Sequence, residues 1–212
     1  MKKARLALSI SLPLLLLACA REGELTTAGV TAIRSACPSV AIPAATGDVT
    51  LFDPPSSRDA AAIDVVATIT NVKHDCTESD PNIVVNATFD VHAIRRDSRG
   101  ARDVTLPYFA TVVQAGSNVV SKRVGRVQLH FPDGQLRAST SGSASASVLR
   151  SAATLPPDIR REITRERKPG DADAALDPMA SPNVRAAVQR ASFELLLGFQ
   201  LTPDQLAYNA TR

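Results

Sequence analysis

The chain has 212 residues, with 24 Lys+Arg against 21 Asp+Glu. Lys2, Lys3 and Arg5 lie in the first 18 positions, which hold no acid; 24 less these three leaves 21 basic against 21 acidic side chains from Cys19 onward. A formally neutral body excludes a globally basic nucleic-acid binder, and eight aromatics without Trp leave little for a base-stacking or sugar-stacking platform.

In residues 1–18, Lys2, Lys3 and Arg5 precede an apolar run, Leu6 to Ala18, of about 13 residues. A bilayer core needs roughly 20 apolar residues, so the run suits the h-region of a secretory signal peptide. It ends Leu16-Leu17-Ala18-Cys19, which resembles the lipobox of bacterial lipoproteins, over the first tenth of the chain. The resemblance implies cleavage before Cys19, a diacylglyceryl group on its sulfur and an acylated new amino terminus. Several acyl chains anchor stably, since each buried CH₂ adds about 0.8 kcal/mol. Ala20 follows rather than Asp, which by the sorting rule of Gram-negative lipoproteins implies the outer membrane, facing the periplasm. The inner membrane is the alternative destination, and a plain signal peptide cleaved nearby is the alternative to lipidation.

With Cys19 acylated, Cys37 and Cys76 remain as an even pair in an oxidising compartment, and a disulfide is the simplest account. Two buried thiols or a catalytic cysteine are the alternatives. There is no C-x-x-C pattern to support a redox role. Residues 19–36 are small and polar and read as a tether, leaving 37–212 as a single domain.

From residue 61 the pattern has period 2, the mark of half-buried strands. In 61–72, Ile63, Val65, Ala67 and Ile69 alternate with Asp64, Thr68 and Thr70; in 83–94, Ile83, Val85, Ala87, Phe89, Val91 and Ala93 alternate with polar residues. Residues 103–113 are apolar on both faces, and Pro107 suggests a sheet edge or a bulge. Residues 119–131 change phase, and Gly125 at the switch reads as a β-bulge. Turn residues follow each run, most sharply Pro132-Asp133-Gly134. Residues 138–148 look like a linker by composition, but Ala138, Thr140, Ala144, Ala146 and Val148 alternate with serines, as in a strand.

A helical insert is expected over 155–190, with one solvated helix after Pro156-Pro157 and a second after Ser181-Pro182. Residues 191–201 alternate as a closing strand, although Val184, Val188, Ala191 and Leu195 also form a helical stripe. Thr202-Pro203-Asp204-Gln205 resembles a capping box for a last helical turn. The sum is a mainly β protein: an antiparallel sandwich that resembles immunoglobulin and fibronectin-like domains in architecture, with a small helical insert before the last strand.

Signals for chemistry are sparse. His74, His92 and His130 are scattered, and no G-x-S-x-G or S-x-x-K pattern supports a serine hydrolase, so no enzyme activity and no cofactor are expected. Asp75, Glu78 and Asp80 lie in a segment read as a loop and are weak candidates for a hard cation; Asp171, Asp173 and Asp177 are fainter still. Residues 95–168 hold 14 basic and 6 acidic side chains, and Arg95, Arg96, Arg99 and Arg102 cluster as candidate contacts for an anionic surface. The expected role is therefore an interaction or structural module of the cell envelope. It would be held to the membrane through Cys19, bind an envelope protein by strand addition, with Pro107 marking a candidate edge, and have no nucleic-acid partner. A small-ligand, lipid or ion-binding lipoprotein is the alternative.

Overall fold

The computed structural model describes residues 25–26, 29–30 and 35–211, apart from 166, 169 and 174. It divides into two units, Met1–Ile33 and Arg34–Arg212. In the first, β1 (Leu25–Thr26) and β2 (Gly29–Val30) form a short antiparallel pair. The expected signal peptide, Cys19 and most of the tether lie outside the described residues.

In the second unit, eight strands make two four-stranded sheets. One runs β4 (Asp48–Phe52), β5 (Ile63–Glu78), β6 (Asn82–Arg95), β9 (Arg137–Leu149). The other runs β3 (Ser39–Ala41), β10 (Phe193–Phe199), β7 (Arg102–Gln114), β8 (Asn118–Phe131). Neighbours are antiparallel except β3, which lies parallel to β10 with Ser39 opposite Glu194. Between β9 and β10 lie α1 (Arg150–Ala153), α2 (Pro157–Thr164) and α3 (Pro182–Arg190), so the insert begins slightly before 155.

Alternation along the strands builds the core. All the expected inward residues of β6, from Ile83 to Ala93, are buried. They join Val65 and Ala67 of β5 and, from the facing sheet, Leu106, Leu129, Leu195 and Leu197 in one apolar cluster. The serine-rich segment is β9, paired with β6 from Ala93↔Ala138 to Ile83↔Val148. Residues 193–199 are a strand paired with β7, so the period-2 signal prevails over the helical stripe, which ends at Ala191. The capping box forms: the Thr202 amide donates to Gln205 Oε1 at 2.9 Å and the Gln205 amide to Thr202 Oγ1 at 3.3 Å. It opens α4 (Pro203–Thr211), two turns rather than one.

Three local expectations are corrected. β5 continues six residues beyond 72, because a bulge between Thr70 and Lys73, with Asn71 at φ 51°, shifts the inward phase from odd to even positions. Pro107 marks no outer edge: β7 is flanked by β8 and β10 from Tyr108 onward, and the proline sits where β10 ends, its carbonyl accepting from the Gln200 amide at 2.9 Å. Gly125 carries no bulge, since the β7–β8 register is continuous there and shifts instead between Val112 and Val113.

What Gly125 does is make room. It lies opposite Tyr108, and a Cβ there would stand 2.4 Å from the ring. Gly142 of β9 lies opposite Phe89 of β6 in the same way, with a Cβ 2.3 Å from that ring. The rings of Phe89 and Tyr108 meet edge to face, 5.1 Å apart, and the Tyr108 hydroxyl donates to the Ser143 carbonyl at 2.6 Å. Each sheet thus lays an aromatic over a glycine of its edge strand, and the two aromatics clasp across the interior.

At one end, Cys37 is bonded to Cys76, 39 residues away, which fixes the start of the domain to the extended part of β5. Two predictions follow from these contacts. Gly125→Val should lower the unfolding free energy by about 1–3 kcal/mol in denaturant titration, because the Tyr108 ring must shift off its contacts with Phe89 and the Ser143 carbonyl. Replacing Cys37 and Cys76 together by Ser should cost about 4 kcal/mol on the chain-entropy model for a loop of this length, read as a lowered denaturant midpoint.

Candidate functional site

The four arginines read as anionic-surface contacts are all engaged within the protein. Arg95 is 2% exposed. Its position continues the odd, inward face of β6, and its guanidinium donates to four carbonyls: Gln135 (2.7 Å), Gly100 (2.8 Å), Ser98 (2.6 Å) and Pro132 (2.9 Å). The group also stands 5.3 Å over the Phe131 ring. No carboxylate forms an ion pair with it among the described residues. Arg95 is therefore a buried clamp between the β6–β7 turn and the β8–β9 corner, not a surface contact.

Arg96 donates to the Ala61 carbonyl. Arg99 bonds Asp97 at 2.6 Å, and this hydrogen bond is the main reason the Asp97 carboxyl is held down at about 2. Arg102 forms a bidentate pair with Asp64 at 2.7 and 2.6 Å.

The cation candidates are also separated. Asp75 and Glu78 sit on β5, where positions three apart point to opposite faces. Asp75 accepts from Asn86 at 3.1 Å, Glu78 from Ser35 at 3.4 Å, and Asp80 pairs with Arg150 at 3.6 Å. Among the described residues no three acidic, histidine or cysteine side chains are grouped to hold a metal. Asp173 pairs with Arg165 and Arg167, while Asp177 accepts from the Met179 amide, so those acids do not converge either.

Two features were not anticipated. The first is an open cleft of about 500 Å³ on the outward face of the β4–β5–β6–β9 sheet. Its floor is two neighbouring rows of cross-strand partners, Thr68–His92–Ser139 and Val66–Ile94–Arg137. His130 reaches it from β8, beside the corner that joins the sheets, with Nδ1 2.7 Å from Asp103. His92 and His130, scattered in sequence, thus share one cleft; His74 and the acids near it do not line it. Only the register of three strands makes the rows, so periodicity along any one strand could not reveal them.

The second is the outer edge of β8. Over Asn118–Gly125, Val119, Val120 and Val124 are 60, 52 and 56% exposed. Lys122, Arg123 and Arg126 stand among them, and residues 118–126 contain no acid. No backbone hydrogen bond from beyond the sheet reaches this stretch among the described residues. The other edges differ. β4 is covered by α4, with Asn209 donating to the Ala45 and Asp48 carbonyls at 2.9 and 2.8 Å and Tyr208 packed on Phe52. β3 has three residues, and β9 offers a partner mainly Ser, Ala and Thr side chains.

No family model, no curated protein and no solved structure matches the chain. Among the described residues, no helix is long and apolar enough to cross a membrane.

The Arg95 clamp makes a firm prediction. Arg95→Met should lower the unfolding free energy by about 3–5 kcal/mol, because buried carbonyls lose a charged donor, and Arg95→Lys should not restore it. Urea titration of the two variants against the parent protein decides this; a Lys variant as stable as the parent would show that one cation suffices.

Proposed function

We infer that this chain is a lipid-anchored protein of the bacterial cell envelope whose sandwich serves as an interaction module. The anchor rests on the Lys2–Cys19 pattern and its resemblance to a lipobox, and Ala20 supports passage to the outer membrane, facing the periplasm. The immunoglobulin or fibronectin-like label describes the layering. In that topology the last strand adjoins the one before it, whereas here β10 adjoins β7, so the likeness is one of architecture.

The observation that carries the interaction reading is the β8 edge. Natural sheets blunt long edges with charge, bulges or a covering element, because an open edge recruits another strand. β8 has basic residues and a shift of register near Val120, yet it leaves three valines in the open. A partner that adds a strand here gains backbone hydrogen bonds, covers the valines and brings acidic side chains to Lys122, Arg123 and Arg126. An extended, acidic segment of another envelope protein fits that surface. Valine contacts would supply affinity, while the charges would favour encounter and select against basic partners.

Two measurements test the reading separately. Labelled palmitate should be incorporated by the parent chain and not by Cys19→Ala; equal labelling would remove the anchor. A photo-crosslinker at Val120 in cells should give one discrete adduct that Val124→Lys abolishes without moving the unfolding midpoint. Adducts no stronger than those from Ser145 on β9 would remove the β8 site.

A further inference from the structure

We propose that the cleft on the outward face of the β4–β5–β6–β9 sheet binds an oxyanion, phosphate or carboxylate, borne on an apolar group. The argument starts from what the two floor rows present. Thr68, His92, Ser139 and Arg137 all carry donors, and no Asp or Glu lines the cleft. A guanidinium is suited to planar or tetrahedral oxyanions because it offers paired N–H groups in a fixed fork. Arg137 makes no side-chain hydrogen bond or ion pair among the described residues, unlike Arg95, Arg96, Arg99 and Arg102.

The acids around the cleft are already engaged. Asp64, two positions before Val66, is held bidentate by Arg102. Asp103 is bonded to His130 Nδ1, which leaves Nε2 as that ring's unused nitrogen. Asp90 lies in the next row beyond His92, accepting from Asn71 at 2.7 Å and Ser141 at 2.9 Å. It makes no ion pair among the described residues, and it sets the direction of binding. Arg137 pairs with Ile94, four residues along β6 from Asp90, or about 13 Å at 3.3–3.4 Å per residue. The charged end of the ligand therefore belongs at Arg137, with His92 and Ser139 beside it.

The apolar part of the ligand has a place in the same row. Val66 and Ile94 lie side by side on the floor, and Ile94 is 49% exposed. An isoleucine this open at the end of an inner strand, next to an unpaired arginine, suits an amphiphilic anion better than a bare one. Such a ligand is either a phospholipid headgroup or a soluble phosphate ester or carboxylate with a short apolar chain.

The test uses the chain from residue 19 onward carrying Cys19→Ala, so that neither the apolar Leu6–Ala18 run nor an acyl group contributes, and measures binding by calorimetry and ³¹P line broadening. Hexyl phosphate should bind at least tenfold more tightly than inorganic phosphate. Arg137→Ala should weaken both at least tenfold, and His92→Gln should weaken both severalfold. Ile94→Ser should remove the advantage of hexyl phosphate and leave inorganic phosphate unchanged. Arg185→Ala, which removes the same charge from the exposed face of α3, should alter neither. Co-sedimentation with phosphatidylglycerol vesicles that depends on Arg137 would identify a lipid headgroup; dependence confined to hexyl phosphate would identify a soluble ester. The proposal is overturned if hexyl phosphate shows no binding at millimolar concentration, or if Arg185→Ala weakens binding as much as Arg137→Ala.

Discussion

A buried guanidinium without a counter-carboxylate is costly unless its donors are filled, and Arg95 fills them with main-chain oxygens from two separate turns. The consequence reaches well beyond one residue. Ser98 and Gly100 belong to the turn that leads β6 into β7, where the chain passes from one sheet to the other. Pro132 and Gln135 belong to the corner where β8 crosses back to β9. Both crossings at this end of the sandwich are held by one side chain, and the Gly100 amide donating to Asp133 at 2.6 Å ties them again. The spacing of the sheets, and with it the inward packing of Phe131 beneath the guanidinium, depends on this joint.

The lateral edges are managed in different ways. On the side of β3 and β4, a helix, a very short strand and a disulfide leave little open backbone. On the side of β8 and β9, the aromatic–glycine clasp supplies cohesion from within, and the outside stays uncovered. Small side chains on β9 and the glycine of β8 are what allow Phe89 and Tyr108 to lie over the neighbouring edge strands. The same economy of side chains leaves this flank as the accessible one. The proposed binding edge and the proposed ligand cleft are compatible with one rigid core, since neither needs a core strand to move.

Much of this could be read from periodicity. β6 and β9 are legible because one face of each is more exposed than the other, and β10 because its inward Phe and Leu residues recur at every second position. β5 is legible only to its bulge, because the left-handed Asn71 reverses which parity faces inward. That reversal also made Asp75 and Glu78 look like loop ligands. β3 and β4 were not read as strands; with three and five residues they are too short for a period to show. Arg95 was open to a better reading: it has the same parity as Ala93 and Val91, and an arginine in that register is pointed at the core. The cleft is different in kind. Thr68, His92 and Ser139 are 24 and 47 positions apart, and only strand register brings them into line.

The bond between Cys37 and Cys76 has a mechanical meaning. β3, the first strand of the domain, is attached by three residues running parallel to β10, a contact that tension could peel one hydrogen bond at a time. Cys37 stands just before it, and its partner lies within β5, whose far end is paired with β6 from Glu78↔Ile83 inward. A pull on the chain ahead of Cys37 is therefore carried across a covalent link into the longest hairpin of the sandwich. β3 lies outside the path of that force.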